Sequence, residues 1–128
     1  MFDGTWAKRA SCLLVIGWSS LVTAAGDDWH YTIDQPREKQ QANFCDSKEG
    51  AEEIARTFDR LGPRPGYAAL SAAPHCRITV HSFTPRRILT TVAISKGKPS
   101  EYMVWFVEVE NDDGGILYLV TTREVVAE

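Results

Sequence analysis

Cys45 and Cys76 bracket the clearest helical segment of this 128-residue chain, and a bond between them ties that segment to whatever follows it. Whether the two pair depends on compartment, because disulfides persist outside the reducing cytosol. Lys8 and Arg9 precede sixteen residues without a charge, Ala10 to Ala25, which include Leu13, Leu14, Val15, Ile16, Leu21 and Val22. The run closes on the small residues Thr23, Ala24 and Ala25 before Gly26, Asp27 and Asp28 open a polar stretch, the pattern that a signal peptidase reads. A run of sixteen is shorter than the roughly 20 residues that cross a bilayer core. Residues 1–25 are therefore expected to be a cleaved signal peptide, and the mature protein to be exported, periplasmic and without stable membrane insertion. Cys12 leaves with that segment, and Cys45 and Cys76 are left to form one disulfide. Closing a loop of this length is worth about 3.5 to 4 kcal/mol on the chain-entropy estimate.

Charge narrows the partners. The chain has 14 Lys and Arg against 17 Asp and Glu, a net charge of -3, and removal of Lys8, Arg9 and Asp3 leaves 12 against 16. That balance supplies no broad basic field, so nucleic acid is not an expected partner. A mature chain of about 100 residues buries enough surface for one modest core.

The periodicities divide the chain into a lead segment, 26–43, and a single domain, 44–128. Gln35 to Gln41 shows neither apolar period and reads as a flexible lead, although Trp29, Tyr31 and Ile33 alternate as a short edge strand would. From Asp46 to Leu61, Ala51, Ile54, Ala55, Phe58 and Leu61 recur at steps of three and four, with Asp46 as cap and Glu49 in capping-box position. Gly62 and Pro63 end that helix, and Gly62 to Gly66 reads as a stiff turn, followed by one helical turn over Tyr67 to Ser71. A period of two then takes over: Ile78 and Val80 alternate, Phe83 to Arg87 interrupt, and Ile88 to Ile94 makes a second strand that ends in a turn over Ser95 to Pro99. Tyr102 to Val109 is apolar on both faces and is expected to be central. Asn111 to Gly115 turns the chain into Ile116 to Thr122, and Val125 and Val126 suit a last short strand. The expected fold class is α+β: one amphipathic helix on a four- to five-stranded antiparallel meander, which can curl into a small SH3-like barrel.

The runs FCDSKEGAEEI, FTPRR and YMVWFVEVENDDGGILYLVTTREV, with a second Cys after the helix, resemble small exported bacterial proteins that join one helix to an SH3-like strand meander. The likeness covers residues 44–126 and lies in architecture alone. It implies a binding module, and it carries over no site residue.

Arg77, His81, Arg86, Arg87 and Arg123 are the candidate binding residues, an anion patch for a carboxylate, phosphate or acidic partner, weighed against arginines that only solvate a sheet edge. A catalytic Cys76 beside His75 is disfavoured because neighbours in sequence rarely aim side chains at one another. Two Cys and one His fall short of a zinc-finger ligand set, Asn111 to Gly115 departs from the calcium-loop spacing, and His75 and His81 read as surface histidines. Tyr102, Trp105, Phe106 and Tyr118 are expected to be core rather than groove. No metal, no cofactor and no catalysis are expected. The function expected is binding of an envelope protein or polymer, through a sheet edge or the Arg64-Pro65-Gly66 and Pro85-Arg86-Arg87 turns. The alternative is inhibition of an extracytoplasmic hydrolase by one of those turns, and the least favoured reading is an enzyme using His81 and a nearby carboxylate.

Overall fold

The computed structural model describes residues 29–94 and 102–127; the signal segment, Cys12 and the turn over Ser95 to Pro99 lie outside the described residues. Among the described residues six strands and two helices follow in chain order: β1 (His30–Thr32), β2 (Arg37–Cys45), α1 (Lys48–Leu61), α2 (Pro63–Ala72), β3 (Cys76–Ile94), β4 (Tyr102–Asn111), β5 (Ile116–Thr121) and β6 (Glu124–Val126). The fold is α+β and its main sheet is antiparallel. β2 pairs with β3, β3 with β4 and β4 with β5, and β5 returns to β2 through Asn43↔Val120, Phe44↔Leu119 and Cys45↔Tyr118, so the four strands close into a ring. β1 and β6 form a separate parallel pair that brings Tyr31 opposite Val125.

Four expectations need correction. The lead segment is not an unstructured run, because residues 37–45 form a nine-residue strand. Its pattern is hard to read because only Phe44 and Cys45 are buried, and a register shift between Arg37 and Gln40 breaks the alternation. The disulfide accordingly ties strand to strand: Cys45 ends β2 opposite Cys76, which begins β3, with Cα atoms 4.0 Å apart. Asp46 is not the helix cap. Ser47 is, in extended conformation, and its hydroxyl accepts the Gly50 N–H at 3.0 Å.

The stiff turn is also absent. Gly62, at φ 95, both caps α1 through its N–H to the Phe58 carbonyl and starts α2, whose first residue is Pro63. Proline suits that position because its missing N–H has no partner in a first helical turn anyway. Lastly, the interruption at Phe83 to Arg87 is a bend within one 19-residue strand. The ladder shifts register between Pro85 and Arg87 and again between Ile88 and Thr90, and such bulges let a strand hold a proline and turn around a ring.

β4 has two apolar faces, and each belongs to a different core. Val104 and Phe106 join Cys45, Cys76, Val92, Ile94 and Val120 beneath Ala51, Ile54, Ala55, Phe58 and Leu70 of the helices. On the opposite face Val107 and Val109 meet Phe44, Phe83 and Leu119, with Tyr31 and Val125 closing that cluster. Phe106 is fully buried, whereas Tyr102 is 37% exposed, so the aromatic set divides between core and surface. α2 lies close to α1 because Gly66 has no side chain: a Cβ there would collide with the Phe58 ring. Phe58 in turn meets Tyr67 edge-on, with centroids 4.9 Å apart.

Gly66→Ala is therefore expected to destabilise the fold by about 1–3 kcal/mol through overpacking. Ser47→Ala should cost about 1 kcal/mol by loss of the cap. Urea midpoints at constant slope measure both; a Gly66→Ala midpoint equal to the parent's would contradict the helix packing described.

Candidate functional site

The five sequence-derived binding residues do not gather. Arg86 donates to Asp34 at 2.9 Å and pairs with Glu110 at 3.1 Å, and Arg87 donates to Glu108 at 2.8 Å. Glu108 and Glu110 share one face of β4, and the register shift between Pro85 and Arg87 lets two consecutive arginines reach that face. Hydrogen bonds to these carboxylates raise both guanidinium pKa values, Arg86 chiefly through Asp34 and Arg87 through Glu108. These are exposed ion pairs that solvate a sheet face, and their carboxylates already occupy the donors an anion would need. Arg77 and His81 line a different cavity of about 490 Å³, together with Asp46, His75 and Thr79. His81 packs edge-on against Phe44 at 4.8 Å. Arg123 lies elsewhere, 5.8 Å over the Tyr31 ring, where Arg37 also sits at 5.1 Å.

What the strands do build is a cleft. The β2–β5 ladder ends at Asn43↔Val120, and beyond it Gln41 and Ala42 separate from Thr121, Thr122 and Arg123 around about 460 Å³ of space. The buried side chains of Leu70, Val104 and Val120 line its base, and Ile78 and Tyr67 stand at its rim. Ile78 is 63% exposed and Val80, two residues on along β3, is 56% exposed, so an apolar strip continues outward from the cleft. Gln41 and Asn43 add carboxamides beside the apolar lining, a composition suited to an extended chain with apolar side chains.

Tyr67 is held at the rim by two contacts, the Phe58 ring and the Tyr102 hydroxyl at 3.2 Å. Burial, then the hydrogen bond with Tyr102, pushes its phenol well above the usual tyrosine value. Tyr118 is raised as well, by burial first and then by the charge of Glu108.

Neither His75 nor His81 is a plain surface histidine: both are half-buried, His81 against Phe44, and His75 is placed beside the disulfide. The His75 Nδ1 lies 3.1 Å from Cys76 Sγ, so two sequence neighbours do aim side chains at one another. The reason lies in the turn before β3: the His75 carbonyl accepts the Asp46 N–H at 2.9 Å, and the ring rests on Gly50 of α1, where any Cβ would collide with it. The available signal was Gly50 itself, a glycine at a buried position in the first turn of an otherwise regular amphipathic helix.

Fold and site together define a small disulfide-stapled α+β domain with an open cleft beside its second helix, lined by both apolar and polar side chains. No family model, curated protein or solved structure matches the chain. Among the described residues no helix is long and apolar enough to cross a membrane.

The phenol pair has a pH consequence. The folded state holds the Tyr67 proton more tightly than the unfolded chain, so this contribution to stability is complete below the unfolded tyrosine value of about 10 and is lost as pH rises above it. In a phenolate absorbance titration, Tyr67→Phe should remove a late-ionising step and Tyr102→Phe should bring that step to lower pH. A Tyr67 step that stays at the same pH in Tyr102→Phe, after the loss of the Tyr102 phenol itself is subtracted, would rule out the hydroxyl pair.

Proposed function

We propose that the protein is an exported, disulfide-stapled, non-enzymatic binding module of the cell envelope, acting on its ring of strands as an SH3-like scaffold. The observation that carries this reading is the cleft between β2 and β5, with Leu70, Val104 and Val120 at its base and the exposed Ile78 and Val80 beside it. Isolated exposed apolar residues are ordinary, but a strip continuous with a cleft is the usual form of a contact surface. The occupant proposed is an extended segment of an envelope protein that places apolar side chains in the cleft and meets the carboxamides of Gln41 and Asn43.

Export is supported by the signal-like residues 1–25 and by the bonded Cys45 and Cys76, since a structural disulfide suits an oxidising compartment. The inhibitor reading loses its support. Arg64, Pro65 and Gly66 lie in α2, and Pro85, Arg86 and Arg87 lie inside β3, so neither triplet is a protruding turn.

Photo-crosslinking tests the reading directly. A photoreactive residue at Ile78 in the full chain, expressed in the producing cells, should yield a discrete protein adduct in the envelope fraction, whereas the same probe at the exposed Arg56 of α1 should not. Adding Val80→Glu should abolish the adduct without changing the thermal transition. No adduct at Ile78, or equal adducts at both positions, would overturn the proposal.

A further inference from the structure

The disulfide and His75 form a second feature, separate from the cleft. Cys45 Sγ, Cys76 Sγ and one ring nitrogen of His75 all lie within 4.8 Å of one another. In a tetrahedral zinc site, Zn–S bonds of about 2.3 Å and Zn–N bonds of about 2.0–2.1 Å place neighbouring ligand atoms roughly 3.6–3.8 Å apart. The three atoms already stand within reach of that spacing, and the fold fixes what carries them. Cys45 and Cys76 are directly opposite in the β2–β3 ladder, and Cys45 is paired on its other side with Tyr118 of β5. His75 is held through its carbonyl to Asp46 and through its ring against Gly50. We propose that, when the disulfide is reduced, Cys45, Cys76 and His75 become a three-ligand site for a thiophilic d10 cation of the zinc class.

The chemistry balances with a dithiol as reductant. The reductant gives two electrons and two protons to the Cys45–Cys76 bond, forming two thiols and becoming a disulfide itself. The cation then displaces both thiol protons to solvent and bonds to two thiolates. A cation takes a ring lone pair of a neutral imidazole, and Nδ1, the atom 3.1 Å from Cys76 Sγ, offers it in the tautomer that carries the proton on Nε2. The fourth position is left to water, which can enter where His75 opens onto the cavity it shares with Asp46 and Arg77.

Cys45 is fully buried and Cys76 is 8% exposed, so the thiolates would be screened from water on the helix side. A buried thiolate pair without a cation is costly, and a metal ligated by both removes that cost. The site is thus exclusive with the staple: the same two sulfurs serve one or the other, and redox state selects which. Three ligands and an open position distinguish it from a closed four-ligand structural site.

The test uses the purified protein after signal removal, kept reduced with a phosphine, and titrated with zinc or with cobalt as a spectroscopic probe. Reduced protein should bind one equivalent with thiolate-to-cobalt charge-transfer absorption, oxidised protein none, and reduced His75→Ala should bind at least about tenfold more weakly. Zinc should raise the thermal midpoint of the reduced protein, or restore its near-UV signal if reduction alone unfolds it, and should leave the oxidised protein unchanged. Binding that is equally tight in His75→Ala would reduce the site to a pair of thiols and overturn the proposal. So would zinc that lowers the midpoint of the reduced protein, since the cation would then prefer the unfolded chain.

Discussion

The last three residues of β2 are paired on both sides, and the rest of the structure depends on that. Asn43, Phe44 and Cys45 face Ile78, Arg77 and Cys76 across one ladder and Val120, Leu119 and Tyr118 across the other. A strand with two neighbours leaves no free edge at that point, which is how a four-stranded sheet becomes a ring. The junction also explains the helices. α1 and α2 are inserted between Cys45 and Cys76, so the disulfide clamps both ends of the helical excursion at the place where it leaves and re-enters the sheet. With its ends fixed, the excursion can only fold back on the face that carries Val92, Ile94, Val104 and Phe106.

The same junction defines the cleft by ending. Pairing between β2 and β5 stops after three residue pairs, and the strands then part because the chain beyond Thr121 turns to run beside β1 as β6. The parallel β1–β6 pair packs Tyr31 and Val125 into the second core, and Tyr31 also lines the cleft, which stays open between Tyr67 and Ile78. An apolar surface left open by topology differs from one left open by chance, because the strands and the helix around it are each held by their own contacts. Preorganisation of that kind reduces the entropy lost when an extended segment binds.

Much of the fold was legible where one physical requirement dominates locally. The stripe Ala51, Ile54, Ala55, Phe58 must face a core, and it does, although Leu61 at its end is 66% exposed; the doubly apolar Tyr102 to Val109 must be central, and β4 is. The Asn111 to Gly115 hairpin followed from turn chemistry, with Gly114 at φ 90. What escaped was set by tertiary contacts. β2 is a strand because β3 and β5 hold it, despite Arg, Glu, Lys and Gln filling its first five positions. Pro85 reads as a breaker, yet a bulge accommodates it inside β3. Of the candidate site, the cysteines were legible by counting, but the arginines were not informative. Their pairing with Glu108, Glu110 and Asp34 depends on a register shift that no local pattern records, and His75 needed a turn and a glycine on another element to reach Cys76.

The central claim is that the three-pair junction closes the ring. Native-state hydrogen exchange on the oxidised protein tests it most directly, by comparing amides of Asn43–Cys45 and Tyr118–Val120 with those of Phe106–Val109 in the middle of β4. A closed ring predicts that the hydrogen-bonded junction amides exchange only through the global opening, as slowly as the β4 amides. Junction amides that exchange orders of magnitude faster while β4 stays protected would mean an open sheet, and would contradict both the ring and the cleft beside it.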